Sequence, residues 1–377
     1  MRRLLFPLIT AFFVSCAFAE RSSIFGVEAY NANFPARDIK TNTLFSPLAL
    51  EHDCCTLAEA FDSIGRANVA EKLGVMTDFP SVYGPIIESF ANADETNRVE
   101  FISARAICVK DSSKADKEYR RKIFELNGSS VCSAWPTIGV ERWFRAKMDG
   151  NMEDYLVPAS KITSTGYTLL DVDYIGAEFP DDVKVEDLTA DFTKDEVKKA
   201  LPFLKISTSL VFRYDDGILS LKIPLKGGAD LYIFTTTNEK PLSDVRKVVN
   251  GDNFKSIIYN HQPVEGRGAK ESSFDLYLPK IDYTYSCDLD KALDFANVAE
   301  SGFQSLDKAL RKRVSRQTAR LNISKSKFPK QPEAQELQVN SKRKRMVIDR
   351  PFLFFIHMNE FDLIPAIGEF LGEDGAR

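Results

Sequence analysis

Histidine is scarce in this chain. Its 377 residues hold three, His52, His261 and His357, and none stands at metal-ligand spacing from another histidine or a cysteine. There is no GxSxG elbow and no Walker A loop, and "GRG" at 266–268 lacks both a third glycine and a preceding strand. His52 abuts Asp53 and Cys54, but neighbours on a helix point in different directions and make no catalytic pair. Asp215 and Asp216, in "RYDDG", suit a turn better than an acid/base couple. The constellation an enzyme needs is missing, so neither catalysis nor a metal or other cofactor is expected. No run beyond the amino terminus approaches the ~18 apolar residues of a membrane span. Internal repeats and Pro/Gly/Ser-rich linkers are also missing, which favours one domain over two.

What is present begins with that amino terminus. Arg2 and Arg3 precede "LLFPLITAFFV", and "AFA" (Ala17, Phe18, Ala19) places small residues where a signal peptidase needs them. Residues 1–19 read as a secretory signal cut before Glu20, leaving residues 20–377 as the exported chain, extracellular or periplasmic. Cys16, in "FVSC", offers a bacterial lipoprotein attachment as the lesser alternative. Five cysteines then remain: Cys54, Cys55, Cys108, Cys132 and Cys287. With 44% hydrophobic residues the chain has its own core, so one or two bridges at most are expected rather than a disulfide framework. Cys54 shares a helical face with Leu50, Leu57, Ala58 and Phe61, which points to a buried thiol. "NGS" at Asn127 and "NIS" at Asn322 match the glycosylation pattern.

The first part of the chain reads mainly as helix. "LALEHDCCTLAEAFDSI" carries apolar residues at helical spacing up to Gly65. "ANVAEKLGV", "ADKEYRRKIFEL" and "VERWFRAKM" continue that character. From about residue 205 the period becomes two, in "LSLKIPL" and "FDLYLPKIDYTY", and "FLFFI" at 352–356 is a buried-strand run. Helices first and strands later indicate an α+β domain. Charge is unevenly placed. Residues 311–350 hold thirteen Lys/Arg against Glu333, Glu336 and Asp349, a balance of +10 within a chain of net charge −4. Such a segment attracts an acidic polymer or protein, or its own acidic body. Export and the lack of aromatics within "SKRKR" count against nucleic acid.

Five segments, in order, carry a family resemblance. "TLFSPLAL" followed by "GRANVAEKLGV", then "VERWFRAKMDGNMEDYLVP", "FRYDDGILSLKIPLKGGADLYIF", "FDLYLPKIDYTYSCDLDKAL" and "DRPFLFFI" before "IPAIGEF" each resemble a serpin segment. Together they cover about residues 24–371. The resemblance implies the serpin fold, with three β-sheets, eight or nine helices and an exposed reactive-centre loop, here about 327–346, and a monomer. Inhibitory members offer that loop as bait to a serine protease and trap it by inserting the cleaved loop into the main sheet.

Matched to the family pattern, the hinge falls at "KSKFPKQPEAQ", where trapping members have small residues. Pro329 and Pro332 have no N–H for a sheet. Lys327 and Lys330 are long and charged, and Phe328 is bulky. The family's shutter of serine, asparagine and histidine would become Ala49, Asp171 and Ala319, a cluster short of two partners. Phe179 replaces a tryptophan at the top of the sheet. The expectation is a non-trapping member that acts by binding. Arg311, Lys312, Arg313, Arg316 and Arg320 are its candidate polyanion contacts. The alternative is an active inhibitor of a trypsin-like or dibasic-cleaving protease. Its bait would lie among Lys342, Arg343, Lys344 and Arg345, with the cut bond near Arg343.

Overall fold

The structure is a computed structural model. It describes residues 22–35, 39–92, 99–133, 137–148, 150–151, 166–237, 240–261, 270–298, 303–308, 310, 312–326 and 343–372. Several of its helices begin where a side chain can satisfy free backbone N–H groups. A first helix, α1, spans residues 22–33. Ser46 caps α2 (Pro47–Ala58), accepting from the Ala49 N–H, with Pro47 at the first position. Asp62 caps α3 (Ser63–Leu73), which Gly74 ends at φ 71°. The single helix expected from residue 48 to Gly65 is therefore two, because Asp62 makes a better start than it does a helix interior. After α4 (Phe79–Asn92), Asp116 caps α5 (Lys117–Asn127) and Gly128 closes it at φ 71°. Helices α6 (Thr137–Met148), α7 (Ser243–Val248), α8 (Gly251–Asn260) and α9 (Asp290–Phe295) complete the set.

Strands are not confined to the second half. β1 (Thr43–Phe45), β2 (Glu100–Val109), β3 (Ser130–Ser133), β4 (Gly166–Glu178) and β5 (Lys184–Lys194) all begin before residue 205. β2 and β4 escape a period-two search because much of each is buried on both faces. They are followed by β6 (Val197–Asp215), β7 (Ile218–Pro224), β8 (Ala229–Thr236), β9 (Lys270–Pro279) and β10 (Asp282–Asp288). β11 (Lys312–Ser324), β12 (Lys344–Val347), β13 (Phe352–Met358) and β14 (Leu363–Phe370) end the series.

Three sheets result. One has five strands in the order β10-β11-β4-β2-β3. The long β6 belongs to both of the others, pairing with β5 and β9 through one part and with β7 through its end. Hydrogen bonding therefore runs without a break from β12 at one edge to β1 at the other. The "FLFFI" strand, β13, is buried between β8 and β14.

Alternation along β2 and β4 decides what faces what in the five-stranded sheet. Ala104, Ala106, Cys108, Leu170 and Val172 pack under α6 with Val140, Phe144 and Met148. Cys108 and Cys132, directly opposite each other on β2 and β3, form a disulfide on this face. Ser103, Arg105, Asp171 and Asp173 alternate with those residues and so point the other way, toward the interior where α2 lies. Cys54, Cys55 and Cys287 are buried free thiols.

Candidate functional site

The site is the seam between β4 and β11. They run parallel and pair directly, from Lys312 opposite Gly166 to Ser324 opposite Glu178, with no strand between them. This is the line along which the family resemblance expects a loop to insert. Two polar clusters hold it, one at its head and one beneath it.

At the head, Phe179 is fully buried and its N–H donates to the Ser324 carbonyl at 3.2 Å. Lys226, 5% exposed, reaches Glu178 at 3.1 Å, Asp181 at 2.7 Å and the Ser326 hydroxyl at 2.9 Å. Burial acts to lower the Lys226 pKa, but the hydrogen bonds to Asp181 and Glu178 outweigh it and keep the ammonium charged. The Ser326 hydroxyl also donates to Asp181 at 2.5 Å. The last described residue before the loop is thus fastened to the sheet by a buried cation.

Beneath the seam, three strands and a helix meet on two rungs. Arg105 of β2 and Gln317 of β11 both stand opposite Asp171, while Ser103 and Ala319 stand opposite Asp173. The Arg105 Nε lies 3.3 Å from Asp53 and 3.4 Å from Asp171, and its Nη2 lies 3.7 Å from Asp173. That guanidinium is 1% exposed. It also donates to Ser103 at 2.6 Å, and the Ser103 hydroxyl donates to Asp173. Gln317 donates to Asp171 at 3.0 Å and to the Ser46 carbonyl at 3.2 Å, and accepts from the Ser46 N–H at 2.8 Å.

The shutter expected at Ala49, Asp171 and Ala319 is corrected by this geometry. Ala49 and Ala319 are buried and apolar, but Asp171 has not lost its partners. It accepts from Gln317, two residues before Ala319, and lies 3.4 Å from Arg105, while Gln317 in turn bonds the Ser46 backbone. Gln317 lies two residues before the expected Ala319, on the same face of β11 and directly opposite Asp171. The sequence reading missed Arg105 because only the folded sheet brings residue 105 opposite 171.

The other expected site residues separate into three groups. Lys327, Phe328, Pro329, Lys330, Pro332, Lys342 and Arg311 lie outside the described residues, as does the signal segment with Cys16. Among the described polyanion candidates, Arg313 and Arg320 are already paired with carboxylates. Arg313 is 13% exposed and meets Asp294 at 2.6 Å and Asp290 at 3.4 Å. Arg320 meets Asp282 at 3.2 Å, and the Nε of half-buried Arg316 is enclosed without a partner. Lys312 begins β11. The +10 segment is drawn to its own acidic body, at least through Arg313 and Arg320. Of the bait candidates, Lys344 and Arg345 are held in β12, parallel to β9. Arg345 lies over the Tyr277 ring at 4.7 Å, and Arg343 is 3.9 Å from Asp275.

Neither sequon is presented as an open side chain. The Asn127 amide donates to Thr56 Oγ1 at 2.9 Å and to the His52 carbonyl at 3.3 Å, and its oxygen accepts from the Ser129 N–H at 3.1 Å. Asn322 sits within β11, its Oδ1 enclosed without a partner. Among the described residues no helix is long and apolar enough to cross a membrane, and no group of three or more His, Cys, Asp or Glu could hold a metal ion.

A three-sheet α+β fold whose five-stranded sheet is closed along β4 and β11 defines a class of protein, and the comparisons agree with it. The family model described as Serpin (serine protease inhibitor) matches residues 20–372. The chain belongs to the serpin family. It resembles the crystal structure of native protease nexin-1 with heparin, at TM-score 0.77 and 16% identity, over 95% of this chain and 99% of that one. Serpin48 of the insect Tenebrio molitor is similar at TM-score 0.70 and 16% identity, over 94% of this chain and 97% of that one. Serpin-12 of Manduca sexta is similar at TM-score 0.74 and 12% identity, over 94% and 99%. A search of curated protein sequences finds no match. Members of this family are commonly protease inhibitors.

Proposed function

We propose that this serpin does not trap proteases and acts instead by binding, as an exported protein. One observation carries the reading. The β4–β11 seam closes over thirteen register pairs, and Lys226 pins Ser326 at its head, immediately before a segment containing Pro329 and Pro332. A strand inserted there would have to donate N–H groups alternately to β4 and to β11. Residues 329 and 332 are an odd number apart, so the missing donors would face different neighbours. Each would strand a carbonyl, at a cost of about 1–3 kcal/mol, and Lys327 and Lys330 would add buried charge wherever they faced the core. The Cys108–Cys132 disulfide supports export, since such bonds persist in oxidising compartments.

The binding surface on this reading is β12 and the residue before it, not β11. Arg343, Lys344 and Arg345 are exposed along an edge strand, whereas Arg313 and Arg320 are already paired. An acidic polymer or protein fits the charge of that edge. Retention on heparin should fall when Lys342–Arg345 are neutralised together and hold when Arg313 and Arg320 are neutralised. The reverse pattern would move the surface back to β11.

The alternative remains an inhibitor of a trypsin-like protease, for which the basic run Lys342–Arg345 would be the bait. The closed five-stranded sheet is the starting state of both readings, and the prolines of the following segment separate them. Its bait bond would lie near Arg343, the residue before β12. Incubation of the mature protein with trypsin separates the two readings. The non-trapping reading expects clean cleavage in the 327–345 region; an SDS-resistant covalent complex would overturn it.

A further inference from the structure

Beneath the seam one guanidinium faces three carboxylates. Asp53, Asp171 and Asp173 are at most 1% exposed, as is Arg105. Its distances to them, 3.3 to 3.7 Å, are those of one cation shared among three anions, not of a tight bidentate pair. Both Asp53 oxygens, one oxygen each of Asp171 and Asp173, and the Arg105 Nε lack hydrogen bonds. Fully ionised, the cluster would hold a net charge of two negative units out of water, which proteins resolve by binding protons.

Among the described residues no second cation pairs with the three aspartates. α2 contributes Glu51, His52 and Cys54 beside Asp53, and burial followed by Arg105 lowers the His52 pKa, so that ring is neutral. β2 contributes Ser103, β11 the neutral Gln317, and β10 the buried Cys287, which senses Asp171 and Asp173. Arg313 acts on Cys54 but is bound to Asp290 and Asp294. Glu51 is held apart by Ser22 of α1 and by Tyr83 of α4, at 2.9 Å from the Tyr83 hydroxyl.

We propose that this cluster is a proton-held latch on the β4–β11 seam: closed, Asp53 and Asp173 retain at least one proton between them, and parting the strands releases it to water. Burial, then Asp171, raises the pKa of both Asp53 and Asp173 well above the carboxylate range. An acid with a raised pKa in the closed state favours that state fully below its ordinary value near ~4. It loses the contribution as pH rises through the raised value. The seam is therefore tightest in mild acid and loosens toward neutral and alkaline pH. Each retained proton makes the opening constant grow about tenfold per pH unit across that window. This holds whether or not the loop ever inserts.

The test is hydrogen exchange on the full mature chain at pH 5, 6, 7 and 8, corrected for intrinsic rates. It follows the β4 and β11 amides in wild type, Asp173→Asn and Asp53→Asn. Glu51→Gln is the control: burial raises the Glu51 carboxyl to about 7, but Ser22 and Tyr83 hold it apart from the seam. The expected result is a wild-type opening constant that rises with pH, by up to tenfold per unit for each proton. The slope should be reduced by either aspartate substitution and kept in Glu51→Gln. A wild-type constant that is flat or falls with pH overturns the proposal without any variant. So does a slope that both aspartate variants preserve, or one that disappears in Glu51→Gln. If one aspartate variant fails to fold, the other variant and the wild-type curve decide.

Discussion

Two interiors of this chain are built on opposite principles. Around β13 the buried residues are aromatic. Phe355 stacks on Tyr232 at 4.8 Å and lies 5.8 Å from Phe234, and Phe352 stacks on Phe370 at 5.2 Å. Under the five-stranded sheet the buried residues are charged, with Arg105 and three aspartates at the centre. Aromatic packing is indifferent to pH and costs the same whenever it is broken. A charged cluster holds only while its charges and protons balance. The permanent interior anchors the C-terminal strands; the conditional one lies under the strand pair that trapping members of this family open.

The largest effect expected is on the aromatic side. Phe355→Ala should lower unfolding stability by about 3–5 kcal/mol, by the same amount at pH 5 and pH 8 in urea titrations. Equal pH dependence in the two interiors would break the comparison. Arg105→Met should cost about 3 kcal/mol at pH 8, because it leaves three carboxylates facing one another. At pH 5 the loss should shrink as they take up protons. A pH-independent loss would show the carboxylates to be a fixed structural set. Lys226→Met comes next, at about 1–2 kcal/mol, with faster exchange at Ser324 and Ser326 and none at β13. Neutralising Lys342–Arg345 should leave stability within about 0.5 kcal/mol while reducing heparin retention.

Much of the fold was legible because its signals are local. The capped helices α3 and α5, the period-two strands β7 and β9, and the apolar run of β13 can each be read from a dozen residues. The break between α2 and α3 was missed because helical periodicity continues across it, and β2 and β4 because burial on both faces removes alternation. The site was less legible, for a different reason. Asp53, Arg105, Asp171 and Gln317 come from four elements and meet only when the strand register is known. Taking Ala319 in place of Gln317, two residues before it on β11, made a connected cluster look broken. The charge run 311–350 was visible, but its neutralisation by Asp290, Asp294 and Asp282 depends on β10 and α9 lying beside β11.

The central claim is that a closed seam, pinned at its head and followed by Pro329 and Pro332, does not accept the loop after cleavage. The direct test is the melting temperature of the mature protein before and after trypsin cuts within residues 327–345, with the fragments kept together. An unchanged or lower melting temperature is predicted. A large rise would mean that the cleaved loop has become a strand between β4 and β11, and would contradict the account.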